Sequence, residues 1–218
     1  MTTPKTEEYL EAIYKIEQTE KPVRASRVAE HLQVSPASVT EMLKRMVKRG
    51  LIERGEDAGI SLTDDGKKAA LGLVRRHRLS ERFLTDLLGL SWDKVHDEAC
   101  KLEHVFSDEV EESLERVLQN PRTCPHGHPI PAKDGTCIEE PTRPLSELEA
   151  GEEATIVKIS EEEPKMLQYL ATLGLLPCVR VRVCEVAPFR GPLLVEVGRA
   201  KYALGREVAS KIQIKGTG

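Results

Sequence analysis

The chain has 218 residues, 39% hydrophobic and 31% charged, which is too long for one minimal domain and apolar enough to build two or three small cores. A formal net charge of −4 excludes nucleic-acid binding by global attraction, so any such contact must rest on a local basic patch. Five scattered cysteines argue against a secreted disulfide framework; the charged start MTTPKTEEYLEAIY and the lack of a bilayer-length apolar run argue against a signal peptide or spanning helix, so the expectation is a soluble, cytoplasmic protein without membrane contact.

From Thr6 the pattern is helical, with Tyr9, Leu10, Ile13, Tyr14 and Ile16 on one face and Thr6 as the expected N-cap. Glu8 and Glu11 point together off that face; alone they are ordinary solvated acids, and they matter only if a cation comes near. Next come a short helix over 26–32, a turn at Gln33-Val34-Ser35 and a longer helix from Pro36 to Arg49 stopped by Gly50, with Ser35 as N-cap. Two helices joined by a tight turn are a helix-turn-helix, whose second helix enters the major groove. Its leading edge (Ser35, Ala37, Ser38, Thr40) is small and hydroxylated, suited to base edges, while Lys44, Arg45, Lys48 and Arg49 suit phosphates. We place Arg24 and Arg27 in the same DNA-facing set. Residues 51–62 read as two short strands around a glycine-containing turn, the wing of a winged helix.

Thr63-Asp-Asp-Gly caps a long helix reaching about Leu88, and on it His77 and Glu81 form an i, i+4 pair able to share one ion. The stretch from His96 to His104 then sets His96, Cys100, Glu103 and His104 at i, i+4, i+7 and i+8, along one helical stripe. An amphipathic helix would carry leucines there. Four lone-pair donors on one stripe point to a transition-metal site. Between Trp92 and Leu118 there are nine acidic residues and three basic ones, an acidic body attached to a basic reading helix. The leftover Leu and Val positions are expected to form a dimer face, and a two-fold homodimer would set two recognition helices in successive major grooves.

These stretches resemble the metal-dependent repressors of the diphtheria toxin repressor and manganese transport regulator type. The resemblance is carried by TEEYLEAIY, ASRVAEHLQVSPASVTEMLKRM, RRHRLSERFLTDLLGL and VHDEACKLEHVFSDEVEESLERVL, and covers most of residues 1–140. It implies a homodimer that binds double-stranded operator DNA when Mn(II) or Fe(II) is abundant and so represses metal-uptake genes, with two ions per subunit. By the same resemblance, His77, Glu81 and His96 look like one site, and Glu8, Cys100, Glu103 and His104 like the second, with Glu11 alongside. Glu8 follows the manganese branch and Cys100 departs from it, so the pattern is mixed. Carboxylates favour Mn(II) or Fe(II) and the thiolate favours later metals, so Zn(II), Co(II) or Ni(II) should also bind in vitro.

Residues 121–144 are rich in Pro and Gly; Cys124, His126, His128 and Cys137 lie there, but C-x-H-x-H is not a standard zinc spacing, and the stretch reads as a proline-stiffened linker. From Leu145 onward, short alternating strands with one helix near 165–173 suit a small barrel that resembles the SH3-like module of iron-type repressors and ferrous-transport accessory proteins. In some repressors that module lends an acid to the first site; Glu162 is the positional match. The expected architecture is therefore mainly α with a small β domain: a winged helix-turn-helix head over 1–72, a helical metal-binding and dimerisation domain over 73–140, and an SH3-like barrel over 141–218. No nucleophile, base or substrate pocket argues for an enzyme. The alternative is a winged-helix repressor sensing an organic ligand or thiol oxidation, with its donors accidental.

Overall fold

A computed structural model of the chain describes residues 2–55, 58–160 and 163–216. It divides into two compact units: one comprises 1–77, 103–105 and 131–137, the other 78–102, 106–130 and 138–218.

The first unit begins with α1 (Pro4–Glu17), which starts earlier than the apolar periodicity suggests. Thr3, not Thr6, is the N-cap; its hydroxyl accepts from Thr6 N at 3.4 Å and Pro4 occupies the first turn, where a missing N–H costs nothing. Helices α2 (Ala25–His31) and α3 (Pro36–Lys48) are joined through Gln33 in the left-handed region, φ 52°. Ser35 caps α3 as expected, accepting from Ser38 N at 3.2 Å. Strands β1 (Ile52–Arg54) and β2 (Ile60–Leu62) pair antiparallel with Ile52 opposite Leu62, forming the wing. They lead into α4 (Asp64–Arg82), where a Cβ on Gly66 would fall 1.9 Å from the Leu51 carbonyl oxygen, so only glycine permits this approach. One core holds the unit together. Tyr9, Leu10 and Ile13 of α1 pack with Val28, with Val39, Leu43 and Met46 of α3, and with Ile52 and Val74. Burying a side chain of this size stabilises by about 1.5–3 kcal/mol, so α1 and the reading helix move as one body.

In the second unit, the last turn of α4 runs into a π-helical turn, Phe83–Leu87, followed by α5 (Val95–Leu102) and α6 (Asp108–Val117), the latter capped by Ser107, which accepts from Val110 N at 3.3 Å. The helical stretch beyond Trp92 is thus two helices with a break at 103–107, where Ser107 starts a new one. A six-stranded antiparallel sheet then forms from β3 (Arg143–Pro144), β4 (Glu153–Ile159), β5 (Arg180–Val186), β6 (Leu193–Val197), β7 (Ala200–Leu204) and β8 (Ile212–Gly216), in the order β3-β8-β4-β5-β6-β7. Helices α7 (Pro164–Thr172) and α8 (Arg206–Lys211) interrupt the strands. Register shifts between Ile156 and Lys158 and between Val183 and Glu185 curl the sheet around Ile156, Val183, Val195, Leu204, Ile214 and Leu167. Among the described residues, no helix is long and apolar enough to cross a membrane.

Candidate metal centres

In the first unit, four of the titratable side chains at positions 7, 77, 103 and 104 form one network. Glu103 is 3% exposed, and its two carboxylate oxygens face His77 Nδ1 at 2.5 Å and His104 Nε2 at 3.3 Å. The other imidazole nitrogen of His104 lies 2.8 Å from Glu7 Oε2 on α1. Glu7 also accepts from Thr2 Oγ1 at 2.7 Å and from Arg76 Nη2 at 3.4 Å. Arg76 in turn donates through Nε to the Glu103 main-chain carbonyl at 2.7 Å. Two carboxylates and two imidazoles within hydrogen-bond reach are a hard-to-borderline donor set suited to a divalent transition metal.

The α1 carboxylate that enters this network is Glu7, next to the expected ligand Glu8. Glu8 is exposed, and Glu11 pairs with Lys15 at 3.4 Å along its own helix. The helix phase explains the difference: Thr6, Tyr9, Leu10 and Ile13 are buried, and Glu7 sits on the flank of that stripe beside Thr6 and Leu10.

The second unit contains a group that the spacing of the chain did not assign. Glu81, Cys124 and His126 are 3%, 2% and 4% exposed, and one ligand atom from each lies within 4.8 Å of the others. The stretch read as a linker is a closed turn here: Cys124 N donates to the His128 carbonyl at 2.8 Å and Gly127 N to the Cys124 carbonyl at 2.9 Å. It is docked on β4, since Ile159 N donates to the His126 carbonyl at 3.0 Å and His128 Nε2 to the Ile159 carbonyl at 2.9 Å. Gly127 has φ +89°, and a Cβ there would fall 2.0 Å from the Val157 carbonyl oxygen, so glycine is required for the docking. Pro and Gly thus mark a tight buried turn, not a tether.

The chemistry of this group follows from its neighbours. His126 Nε2 lies 2.8 Å from the Trp92 carbonyl, which can only accept, so Nε2 carries the proton. Nδ1 lies 3.2 Å from Glu81 Oε1. An imidazole nitrogen, a carboxylate and a thiol this close together are three groups able to ligate one cation. The Cys124 thiol is pushed well above its usual range by burial and by the Glu81 charge, against a smaller opposing pull from Arg78. The neighbouring His128 goes the other way: burial and the Arg78 charge lower it to about 4, so it is neutral at physiological pH.

Within the second unit His96 Nδ1 lies 3.8 Å from Glu81 Oε1, and the Cys100 sulfur 3.7 Å from His96 Nε2. Within the first unit Glu103 engages both His77 and His104. Glu162 lies outside the described residues.

The residues expected to face DNA lie on and around α2 and α3. Ser35, Ala37, Thr40, Lys44, Arg45 and Lys48 are exposed, whereas Ser38 is half-buried and shares a 2.9 Å hydroxyl contact with Ser35. Thr40 Oγ1 donates back to the Pro36 carbonyl at 2.9 Å, leaving its methyl for an outward contact. Arg24 is exposed at the N-cap of α2. Arg45 pairs with Glu41, and Arg27 with Glu30 and, at 2.9 Å, with Glu20.

A winged helix-turn-helix head combined with two buried donor clusters defines a metal-responsive DNA-binding regulator. The comparisons with known proteins agree. Residues 1–60 match the iron dependent repressor N-terminal DNA binding domain, 63–132 its metal binding and dimerisation domain, and 143–216 the FeoA domain. The iron-dependent repressor IdeR of Mycobacterium tuberculosis is 34% identical, covering 96% of each chain. Among solved structures, a manganese-dependent transcriptional repressor in complex with manganese superposes with a TM-score of 0.89 at 35% identity, covering 97% of this chain and 99% of that one. ScaR with bound Cd2+ superposes with a TM-score of 0.83 at 32% identity, covering 97% and 99%. The chain belongs to the iron- and manganese-dependent transcriptional repressor family.

Proposed function

We propose that this protein is a homodimeric, cytoplasmic repressor that binds operator DNA upstream of metal-uptake genes when Mn(II) or Fe(II) is loaded, with two ions per subunit. One ion would be held by Glu81, Cys124 and His126, with His96 next to them. The other would be held by Glu103 and His104 together with a carboxylate of α1, Glu7 or, after a rotation of that helix, Glu8. The head would read DNA through 1–72, metal and partner would be met within 73–140, and the barrel over 141–218 would carry the strand on which the Cys124–His128 turn docks. The observation that carries this reading is the buried Glu81–Cys124–His126 group, in which a carboxylate, a thiol and an imidazole each place a ligand atom within 4.8 Å of the others.

The DNA response follows within the first unit. A cation on Glu103 and His104 that also recruits an α1 carboxylate fixes α1, and α1 shares one core with Val39, Leu43 and Met46 of the reading helix. Metal would tighten that tie and so narrow the head to its DNA-competent orientation. The partner subunit would cover the groove lined by Phe83, Leu87, Val110, Leu114 and Val117, in which Leu87 is 49% and Val117 60% exposed. The donor types support Mn(II) or Fe(II) for the carboxylate-rich cluster; Zn(II), Co(II) or Ni(II) would occupy the thiol-containing group readily in vitro. Equilibrium dialysis against Mn(II) tests the assignment. Two ions per subunit are expected for the full chain, one for Glu81→Ala/His126→Ala and one for Glu103→Ala/His104→Ala; unchanged stoichiometry in either double variant would remove that cluster from the account.

A further inference from the structure

We propose that Arg76 is the positioning residue of the first-unit cluster: its guanidinium joins the α1 carboxylate to the sensing turn, so that this donor set is assembled before any metal arrives. The inference rests on the reading of Glu103 and His104 as metal donors given above, but its first readout is on the metal-free protein.

The geometry is a closed circuit. Arg76 Nε donates to the Glu103 main-chain carbonyl at 2.7 Å, and Nη2 reaches Glu7 Oε1 at 3.4 Å. Glu7 Oε2 meets His104 Nδ1 at 2.8 Å, and His104 Nε2 meets Glu103 Oε1 at 3.3 Å, which returns to the residue whose carbonyl Arg76 holds. Three chain segments far apart in sequence meet in this ring: α1, α4 and the turn after α5. Side chains in it are shielded, with Arg76 19%, Glu7 14%, His104 14% and Glu103 3% exposed, so the ion pair is less screened than a surface pair. Two carboxylates so close together repel when no metal is present, and a fixed cation between Glu7 and the Glu103 main chain offsets that repulsion. The planar fork is essential to the arrangement. One edge nitrogen serves the carbonyl while a terminal nitrogen serves the carboxylate, and a lysine ammonium, a single point charge on a flexible stem, cannot hold both in fixed geometry.

Arg76 would not touch the metal. Its role is to hold Glu7 against His104 and the turn in place, which keeps α1 docked and lowers the ordering cost of metal binding.

The test uses the full-length protein and the variants Arg76→Met, Arg76→Lys, Glu7→Gln and Arg76→Met/Glu7→Gln. Amide hydrogen exchange over residues 6–10 is measured with chelator present, and Mn(II) affinity is measured by the electron paramagnetic resonance of free Mn(II). We expect Arg76→Met to speed exchange of those α1 amides about tenfold and to weaken Mn(II) binding at the first-unit cluster about tenfold, the scale of one lost charged hydrogen bond. Arg76→Lys should recover part of the exchange protection but not the affinity. On α1 exchange the double variant should fall short of the sum of the single ones, because both break the Arg76–Glu7 contact. Additive effects on exchange in the double variant, or exchange and affinity within twofold of wild type in Arg76→Met, would overturn the proposal. Should Arg76→Met fail to fold, the α1 exchange of Glu7→Gln carries the same expectation and the same refutation. Faster exchange in Arg76→Met with a wild-type protein that binds no Mn(II) would refute the metal reading while leaving the circuit intact.

Discussion

Replacing Cys124 by serine isolates the one donor whose chemistry depends most on burial. The thiol is 2% exposed and is held far above its ordinary range by desolvation and by the Glu81 charge, so it remains S–H throughout the neutral range in the metal-free protein. A cation bound across Glu81, Cys124 and His126 must displace that proton. Because the free site holds a proton that the loaded site lacks, raising the pH favours the loaded form, by about tenfold in apparent affinity per pH unit for one proton released. Serine retains its proton under these conditions, so Cys124→Ser should release one proton fewer per ion and flatten the pH dependence. The affinity loss should exceed about tenfold for Zn(II) and be smaller for Mn(II), since the thiolate matters more to the softer ion. Calorimetry in buffers of different ionisation enthalpy counts the protons, and the sulfur-to-metal charge-transfer absorption of the Co(II) form reports the thiolate directly. Cys100→Ser is the control, since Cys100 is the exposed thiol 3.7 Å from His96. If Cys124→Ser kept both the proton release and the absorption while Cys100→Ser lost them, the sulfur donor would be Cys100 and the reasoning from burial would be wrong.

Three further outcomes follow from other parts of the molecule. His128 is lowered from 6.5 to about 4 by burial and Arg78, so the unfolded chain takes up a proton that the folded chain refuses; its contribution is complete above about pH 6.5 and is lost as pH falls towards 4. The full shift corresponds to about 3 kcal/mol, reduced to about 2 kcal/mol by the partial exposure of the ring, and urea unfolding of His128→Gln between pH 7 and 4 should show that much less pH dependence than wild type. Val117→Asp, at a position 60% exposed on the α6 groove, should shift the protein from dimer to monomer in sedimentation and abolish operator binding while leaving each unit folded. Lys44→Ala and Lys48→Ala, both exposed on α3, should each weaken binding to any DNA sequence and lower the slope of log affinity against log salt by about one.

The chain order revealed the helix-turn-helix, the wing and the strands of the barrel because each depends on local signals: the Ser35 cap, Gly50, the two-residue alternation of the strands. The donors of the stripe from His96 to His104 were likewise legible as donors. The local structure that carries them was not. Glu103 and His104 fall past the end of α5, in a turn, so the helical spacing that groups them with Cys100 stops holding at Leu102. The approach of Cys124 and His126 to Glu81 was not legible because Glu81 is more than forty residues earlier in the chain, and periodicity carries no information over that distance. A signal was present nonetheless: a Cys and a His two apart, followed by glycine, within a stretch otherwise poor in charge. Glu7 and Glu8 are adjacent acids, and only the side of α1 that the core buries distinguishes them.

The most direct test of the account is operator affinity measured against free Mn(II) concentration, for wild type and for His126→Ala. The wild-type protein should bind operator at least a hundredfold more tightly with Mn(II) than with chelator, about 2.7 kcal/mol of coupling. His126→Ala should need a higher Mn(II) concentration for the same response. Equal operator affinity with Mn(II) and with chelator, or a His126→Ala curve that superimposes on the wild type, would contradict it.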